Sequence, residues 1–327
     1  MTMQSPILVT GGTGFIGRTL IDELLIKGFE VVSFALPGED VPSHWGNRVK
    51  VHRGDITNAA DVNAVMKDVT TVFHLAAAMG MGAYSDHEAI TVQGSRRVFD
   101  AALVNNCRVV LAASIVVYGH QIQNLVCQED LPHGKHQGPY SWAKMAQEKL
   151  ALDYQAKGMQ LTVIRPANVY GVGSGPWVEN LLEAMEVGML PVVGDGSGNA
   201  GLVHVNNLVS AFLLAANSEQ AVGRIYTVCD GLDVSWSQYF HDLAATKGIE
   251  ELPVADRTEL IAVARQFENP EKLQAMQEMS AIPLEMINLI GYDNRFDCSR
   301  IRDELGWNPQ FSYEDGLAEI HREQCAR

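Results

Sequence analysis

The sequence predicts an α/β protein: a doubly wound parallel sheet followed by a smaller, mostly helical C-terminal domain. Three observations carry this. Short β-branched runs alternate with helical stretches through the first half of the chain. Those runs are apolar almost throughout, which marks strands covered on both faces. The pattern then changes after Gly171, where Gly173-Ser174-Gly175-Pro176 and Gly194-Asp195-Gly196-Ser197-Gly198 read as loops and helical periodicity takes over.

Taken in order, residues 6–10 predict the first strand. Residues 15–27 predict a helix with Ile16, Leu20 and Leu24 on one face and Asp22 and Glu23 turned away, ended by Gly28. Residues 30–36, 49–53, 71–76, 109–114 and 161–165 predict five more strands, with helices between them, notably over 88–105 and 140–157. Helices follow over 178–186 and 208–216, and residues 224–228 suit a late strand returning to the sheet. From Ser235 onward the chain reads as mostly helical. Residues 250–291, rich in charge and Met and broken at Pro253, Pro270 and Pro283, suit a helical cover or lid, or equally a solvated surface insertion. At 327 residues the chain fits about two domains. The expected division is 1–171, rejoined by 205–232, against 172–204 with 233–327.

Bulk properties exclude several functions. The net charge is −15, from 24 basic and 39 acidic residues, which disfavours a nucleic-acid partner. Cys107, Cys127, Cys229, Cys298 and Cys325 are scattered without zinc spacing, so no metal is expected and the thiols read as reduced. The N-terminus has no basic leader with a long apolar core. The longest apolar runs, 109–117 and 208–216, are too short for a bilayer. A cytoplasmic location without membrane attachment is the expectation.

The run Gly11-Gly12-Thr13-Gly14-Phe15-Ile16-Gly17 follows an apolar strand and opens an amphipathic helix. In that context Gly11 permits the tight turn, Gly14 lets backbone approach a pyrophosphate, and Gly17 allows close helix–strand packing. The helix N-terminus then offers unpaired N–H groups to phosphates. A turn without a ligand is the alternative. The end of the second strand, Ser33-Phe34-Ala35-Leu36-Pro37, carries neither the acid that pairs with the ribose of NAD nor the Arg that accepts the extra phosphate of NADP. Ser33, Arg48 or Arg53 remain as candidates, and the cofactor is expected to be NAD or NADP. After the third strand, Gly54-Asp55-Ile56 places a carboxylate within reach of an adenine amino group; a helix cap at Asp55 is the competing reading.

Tyr140 and Lys144 are four apart on a predicted helix and share a face. A tyrosine normally titrates near 10, and a neighbouring ammonium with an oxidised nicotinamide ring favours the phenolate. A lowering of about three units, roughly 4 kcal/mol, would suit a general acid/base. Ser114 closes the predicted fifth strand, where this architecture places chemistry, and its hydroxyl can steady a developing alkoxide; a plain strand-end cap is the alternative.

These residues resemble the extended short-chain dehydrogenase/reductase family, in its epimerase/dehydratase branch. The likeness spans nearly the whole chain. Besides the glycine run it rests on Gly54-Asp55, His74-Leu75-Ala76-Ala77, Ser114 with Tyr118-Gly119, Tyr140 with Lys144, and Arg165-Pro166-Ala167-Asn168-Val169-Tyr170-Gly171. Further on come Val203-His204-Val205-Asn206-Asn207 and Leu305-Gly306-Trp307-Asn308-Pro309. The resemblance implies a Rossmann sheet with a substrate-binding C-terminal domain. It implies Tyr140 as acid/base, Lys144 as the residue that orients the nicotinamide ribose and tunes Tyr140, and Ser114 as the holder of the reacting oxygen. Gly11, Gly14, Phe15, Ile16, Gly17, Asp55, Ile56, Ala76, Ala77, Tyr140, Lys144 and Pro166 become the cofactor contacts. It also implies a homodimer through the helices at 88–105 and 140–157.

Departures from the family bear on the substrate. Thr91, in Thr91-Val92-Gln93-Gly94-Ser95, stands where relatives carry an Asn that supports a proton relay. Relatives acting on nucleoside-diphosphate sugars place arginines at two positions that here fall on Ala200 and near the apolar residues 287–290, with Arg295 only close by. A buried diphosphate without cations is costly. The loop Met79-Gly80-Met81-Gly82-Ala83-Tyr84, with Trp177, Leu202 and Asn168, suits an apolar small-molecule pocket. His204 reads as structural, and His120, His133 and His136 as lying on a solvated loop. The leading expectation is an NAD(P)-dependent oxidoreductase moving hydride between nicotinamide and a secondary alcohol or ketone of a mainly apolar molecule, similar to 3β-hydroxysteroid dehydrogenases or aldehyde/ketone reductases. A nucleoside-diphosphate-sugar epimerase and a non-catalytic nucleotide sensor are the competing expectations.

Overall fold

A computed structural model describes residues 3–80, 82–266 and 282–326. Six strands alternate with helices: β1 (Ile7–Thr10), β2 (Val31–Ala35), β3 (Val49–Arg53), β4 (Thr71–His74), β5 (Arg108–Ala112) and β6 (Gln160–Pro166). Three short strands, β7 (Asn168–Tyr170), β8 (Val192–Val193) and β9 (Leu202–His204), precede β10 (Ile225–Val228) and β11 (Val254–Ala255). The main sheet has seven strands in the order β10-β6-β5-β4-β1-β2-β3, and every pairing in it is parallel. β1 is buried at all four residues. The strand order reverses beside β1, and a crevice opens there beyond the carboxyl ends of the strands.

Helices cover both faces. α1 (Phe15–Ile26) and, later, α7 (Val205–Asn217) pack on one side. α2 (Ala59–Val65), α3 (Tyr84–His87), α4 (Gly94–Val104) and α5 (Pro139–Gln155) lie on the other. α1 buries Gly17, Leu20, Ile21 and Leu24; Ile16, expected on that face, packs half-buried against the same core and also lines the crevice. The expected helix at 88–105 begins earlier: α3 runs through one wide turn, Glu88–Gln93, into α4. α5 starts on Pro139, whose missing N–H costs nothing in a first turn. The late strand returns as expected, with β10 pairing β6 from Ile225↔Val163.

The C-terminal part has its own core around α6 (Asn180–Glu186), α8 (Trp236–Ala245) and α12 (Tyr313–Ala326). Of the stretch 250–291, the described portion forms β11, α9 (Arg257–Arg265) and α10 (Leu284–Ile290); Pro270 lies outside the described residues. α11 (Ser299–Leu305) packs beside β10. Cys229 and Cys298, distant in sequence, meet as buried free thiols with sulfurs 2.9 Å apart. Among the described residues no helix is long and apolar enough to cross a membrane, and no cluster could hold a metal ion.

Candidate active site

A cavity of ≈ 1960 Å³ runs along the carboxyl ends of the central strands and out under α6, α9 and α10. Gly11, Gly14, Phe15, Ile16 and Gly17 line one end, with Asp55, Ile56, Ala76 and Ala77 beside them. Ser114, Tyr140, Lys144 and Pro166 line the middle, and Met79, Asn168 and Trp177 the far part. The structure therefore brings the expected residues to one cavity, Met81 excepted, which lies outside the described residues.

The glycine turn fits a dinucleotide. Gly11 has φ +68° and its missing side chain leaves room for the backbone of Ala76, 3.0 Å from where a Cβ would stand. A Cβ on Gly17 would stand 2.2 Å from the Gly11 carbonyl, so α1 can seat on the turn only with glycine there. Gly14 caps α1 with no side-chain partner, leaving the first-turn N–H groups facing the cavity.

The ribose corner departs from expectation. Ser33 is fully buried with its hydroxyl unpartnered, packed under Gly12 and away from the cavity. Arg48 donates to the His44 carbonyl, whereas Arg53 donates to the Leu36 carbonyl (2.9 Å) at the edge of the corner. The acid missing from the end of β2 arrives four residues later. Gly38 (φ +85°) turns the chain back, and the Glu39 carboxylate accepts from the Thr13 hydroxyl (2.5 Å) and the Leu36 N–H (3.0 Å). Glu39 lines the cavity. An acid just past a Pro-Gly turn was the available signal. Asp55 lines the cavity and accepts from the Thr57 N–H (2.7 Å), but it is not the cap of α2, which is Asn58.

At the reaction end, Ser114 lies two residues past β5 and begins a short 3-10 turn, accepting from the Val116 N–H at 3.3 Å. Its hydroxyl stands on the same cavity wall as the Tyr140 phenol and acts to lower its titration. Tyr140 is half-buried at the cavity wall, and Lys144 is buried with its Nζ 6.0 Å from the Tyr140 ring centre. The expected lowering of the phenol does not arise from the chain alone. Burial pushes Tyr140 up to about 12, against the Ser114 hydroxyl, and the Glu285 carboxylate adds to the rise. Burial likewise pushes the Lys144 ammonium down to about 7, although Glu148 opposes this. A group so desolvated carries its charge over a narrower pH range than the sequence reading assumed.

Glu285, on α10, is a site residue that sequence reasoning missed. Its carboxylate accepts from the Ser141 N–H (2.8 Å) at the start of α5, where Gly138 offers no side-chain cap. A contact across 144 positions leaves no local trace.

The substrate end differs in part from expectation. Trp177 lines the cavity and packs against Trp236 with ring centres 5.5 Å apart. Met79 is exposed at the rim. Asn168 is buried and spends its amide on the Ala200 carbonyl (2.7 Å), so packing holds it as much as the cavity does. Leu202 belongs to the core. His204 is structural as expected, capping α7 and stacked on Phe311 at 4.1 Å. His133 lies on a loop, half-buried, and pairs with the buried Glu148 (2.8 Å), which also holds Arg165. His120 and His136 are exposed but line the cavity. Of the described arginines, only Arg265 lines it. Ala200 is fully buried, and Arg295 pairs on the surface with Asp293 (2.8 Å).

Comparison with known proteins decides the family. Residues 7–229 match the NAD dependent epimerase/dehydratase family. The chain belongs to that family. It is an enzyme of a group that works with NAD, and the glycine turn, Asp55 and the Ala76–Ala77 wall are a fitting cradle for that cofactor. The chain is 28% identical to a 3-beta-hydroxysteroid dehydrogenase of Mycolicibacterium neoaurum, over 96% of this chain and 89% of the relative. It is 25% identical to a 2-alkyl-3-oxoalkanoate reductase of Stenotrophomonas maltophilia (strain K279a), over 98% and 99%. Among solved structures, MoeE5 in complex with UDP-glucose and NAD superposes with a TM-score of 0.74 at 26% identity, covering 99% of both chains.

Proposed function

We propose that this chain is an NAD-dependent oxidoreductase acting on a secondary alcohol or ketone of a mainly apolar small molecule. The observation that carries this reading is the apolar part of the cavity lining. It includes Leu181, Leu190, Ile261, Leu284, Met286 and Leu289, and the described residues that line the cavity include no pair of arginines to neutralise a diphosphate. Apolar surface of this kind recognises an apolar body, while a few polar groups fix its orientation. The relatives named as a hydroxysteroid dehydrogenase and an oxoalkanoate reductase support the same class.

In this reading NAD, when bound, supplies the hydride acceptor. The chain supplies the rest. Ser114 and Tyr140, which share the cavity wall, hold the carbinol oxygen between them. Tyr140 takes its proton on oxidation and returns one on reduction. Lys144 uses two donors on the Ala112 carbonyl (2.9 Å) and Gln147 (3.0 Å), which leaves a third for a ribose hydroxyl. The apolar wall excludes water around the reacting carbon.

The test offers the purified protein NAD with a 3β-hydroxysteroid, a 2-alkyl-3-hydroxyalkanoate or UDP-glucose, following NADH and the sugar product. Net NADH with either apolar alcohol, and none with UDP-glucose, is the expected result. Conversion of UDP-glucose to its epimer without net NADH would establish the sugar-epimerase reading instead.

A further inference from the structure

Beneath the cofactor corner runs a chain of polar side chains that the chemistry above does not use. Gln147, Ser95, His74 and Thr10 are all fully buried. The Lys144 ammonium donates to Gln147 Oε1 (3.0 Å), and Gln147 Nε2 reaches Ser95 Oγ (2.8 Å). Ser95 Oγ also meets His74 Nε2 (2.8 Å) and donates to the Thr91 carbonyl. On its other side, His74 Nδ1 meets the Thr10 hydroxyl (2.7 Å), which in turn receives the Ala76 N–H (3.3 Å).

Proton counting gives this chain one direction. A serine hydroxyl has a single proton, and here it goes to a carbonyl that can only accept. Gln147 and His74 must therefore both donate to Ser95. A glutamine donates only through its nitrogen, so its oxygen is turned on Lys144. His74, neutral because burial pushes it down to about 3, donates from Nε2 and accepts from Thr10 at Nδ1. Two walls of the cofactor site, Lys144 and Ala76, are thereby tied through four buried side chains. The Thr91 side chain, standing where relatives have an Asn, is not part of Lys144's support: its hydroxyl accepts from the Ala78 N–H (2.9 Å), and only the Thr91 carbonyl joins the chain, through Ser95.

We infer that Gln147, anchored by Ser95 and His74, is a positioning residue that holds the Lys144 ammonium toward the cofactor and supplies the support that Thr91 does not give. Lys144 and Gln147 are three apart on α5 and share a face, so the helix presents them together. The inference rests on the role given to Lys144 in the proposed function.

The test needs no substrate. NADH affinity is titrated by fluorescence, and the Lys144 ammonium is followed by its ¹⁵N signal, assigned by its loss in Lys144→Met. Besides Gln147, the charged or titratable groups facing that ammonium are Tyr140, Glu148 and His74. Gln147→Leu is expected to weaken NADH binding about tenfold, as loss of a hydrogen bond to a charged group does. It is also expected to move the Lys144 titration lower. Gln147→Glu keeps an acceptor oxygen on Lys144 and lets the Ser95 hydroxyl turn from the Thr91 carbonyl to donate to its second oxygen, so it should bind NADH within about threefold of wild type and titrate Lys144 higher. Gln147→Leu binding within about twofold of wild type, or Gln147→Glu losing as much as Gln147→Leu, overturns the inference while Lys144→Met remains impaired. Wild-type NADH affinity in Lys144→Met would instead remove the role of Lys144, and the inference with it.

Discussion

At the scale of a single residue, we propose that Glu39 sets the cofactor preference. Its carboxylate is fixed by the Thr13 hydroxyl and the Leu36 N–H at the end of the cavity lined by the glycine turn. A carboxylate there accepts ribose hydroxyls and repels a phosphate on the same ribose. Cations stand close by: Arg18 donates to the Thr13 carbonyl (2.6 Å) and Arg53 to the Leu36 carbonyl (2.9 Å). Glu39→Ala should therefore weaken NAD and leave those cations to a phosphate, shifting the NAD/NADP ratio of Kd values by about tenfold, or ~1.4 kcal/mol. Titration of both cofactors against wild type and variant checks this, and an unchanged ratio would remove Glu39 from the ribose site. The sequence reading looked for this acid at the last residues of β2, because the rule is one of strand geometry. It missed Glu39 because the Pro37-Gly38 turn, and not the strand, delivers it.

The joint between α1 and the glycine turn is decided at the scale of the element. At Gly17 an added Cβ meets backbone, the Gly11 carbonyl at 2.2 Å and Gly12 Cα at 2.7 Å, so nothing nearby can yield without moving the helix. At Gly28, which ends the same helix at φ +81°, an added Cβ meets open space and only the backbone conformation resists. Gly17→Ala should cost about 1–3 kcal/mol and impair NAD binding. Gly28→Ala should cost about 1 kcal/mol and leave binding intact. Urea unfolding and NADH titration of the two variants check the order, and a costlier Gly28→Ala would contradict it. Glycine spacing was legible in the sequence because this constraint is local. The wide turn at Glu88–Gln93 was not, since a helical hydrophobic period reads the same through it.

For the whole molecule, the buried carboxyl of Asp230 ties the end of β10 to β9 and the start of α7. It accepts from the His204 N–H (2.8 Å) and Asn207 (3.0 Å), just past β10, yet burial pushes it up to about 7 despite those bonds and Arg302. Between its ordinary value near 4 and about 7, the folded chain holds a proton that the unfolded chain has released. This group's contribution to stability therefore falls as pH rises through that window, by at most about 1.4 kcal/mol per pH unit. Asp230→Asn should lack that slope, so its stability relative to wild type should climb from pH 4 to 8 in urea unfolding. A constant difference would contradict the assignment. The return of β10 to the sheet was readable from its β-branched run, whereas the docking of Glu285 on Ser141 was not: it joins segments 144 positions apart with no pattern in either. The direction of the Tyr140 shift was likewise out of reach, because it depends on how deeply α10 and the cavity wall bury the phenol. The central claim is that Tyr140, poised by Ser114 and Lys144 in the NAD cavity, moves the proton of the reacting oxygen. Its most direct test is Tyr140→Phe, with NADH affinity and turnover of an accepted alcohol measured on the same preparation. Affinity close to wild type with turnover reduced at least about a hundredfold is the predicted result, and turnover retained alongside normal affinity would contradict it.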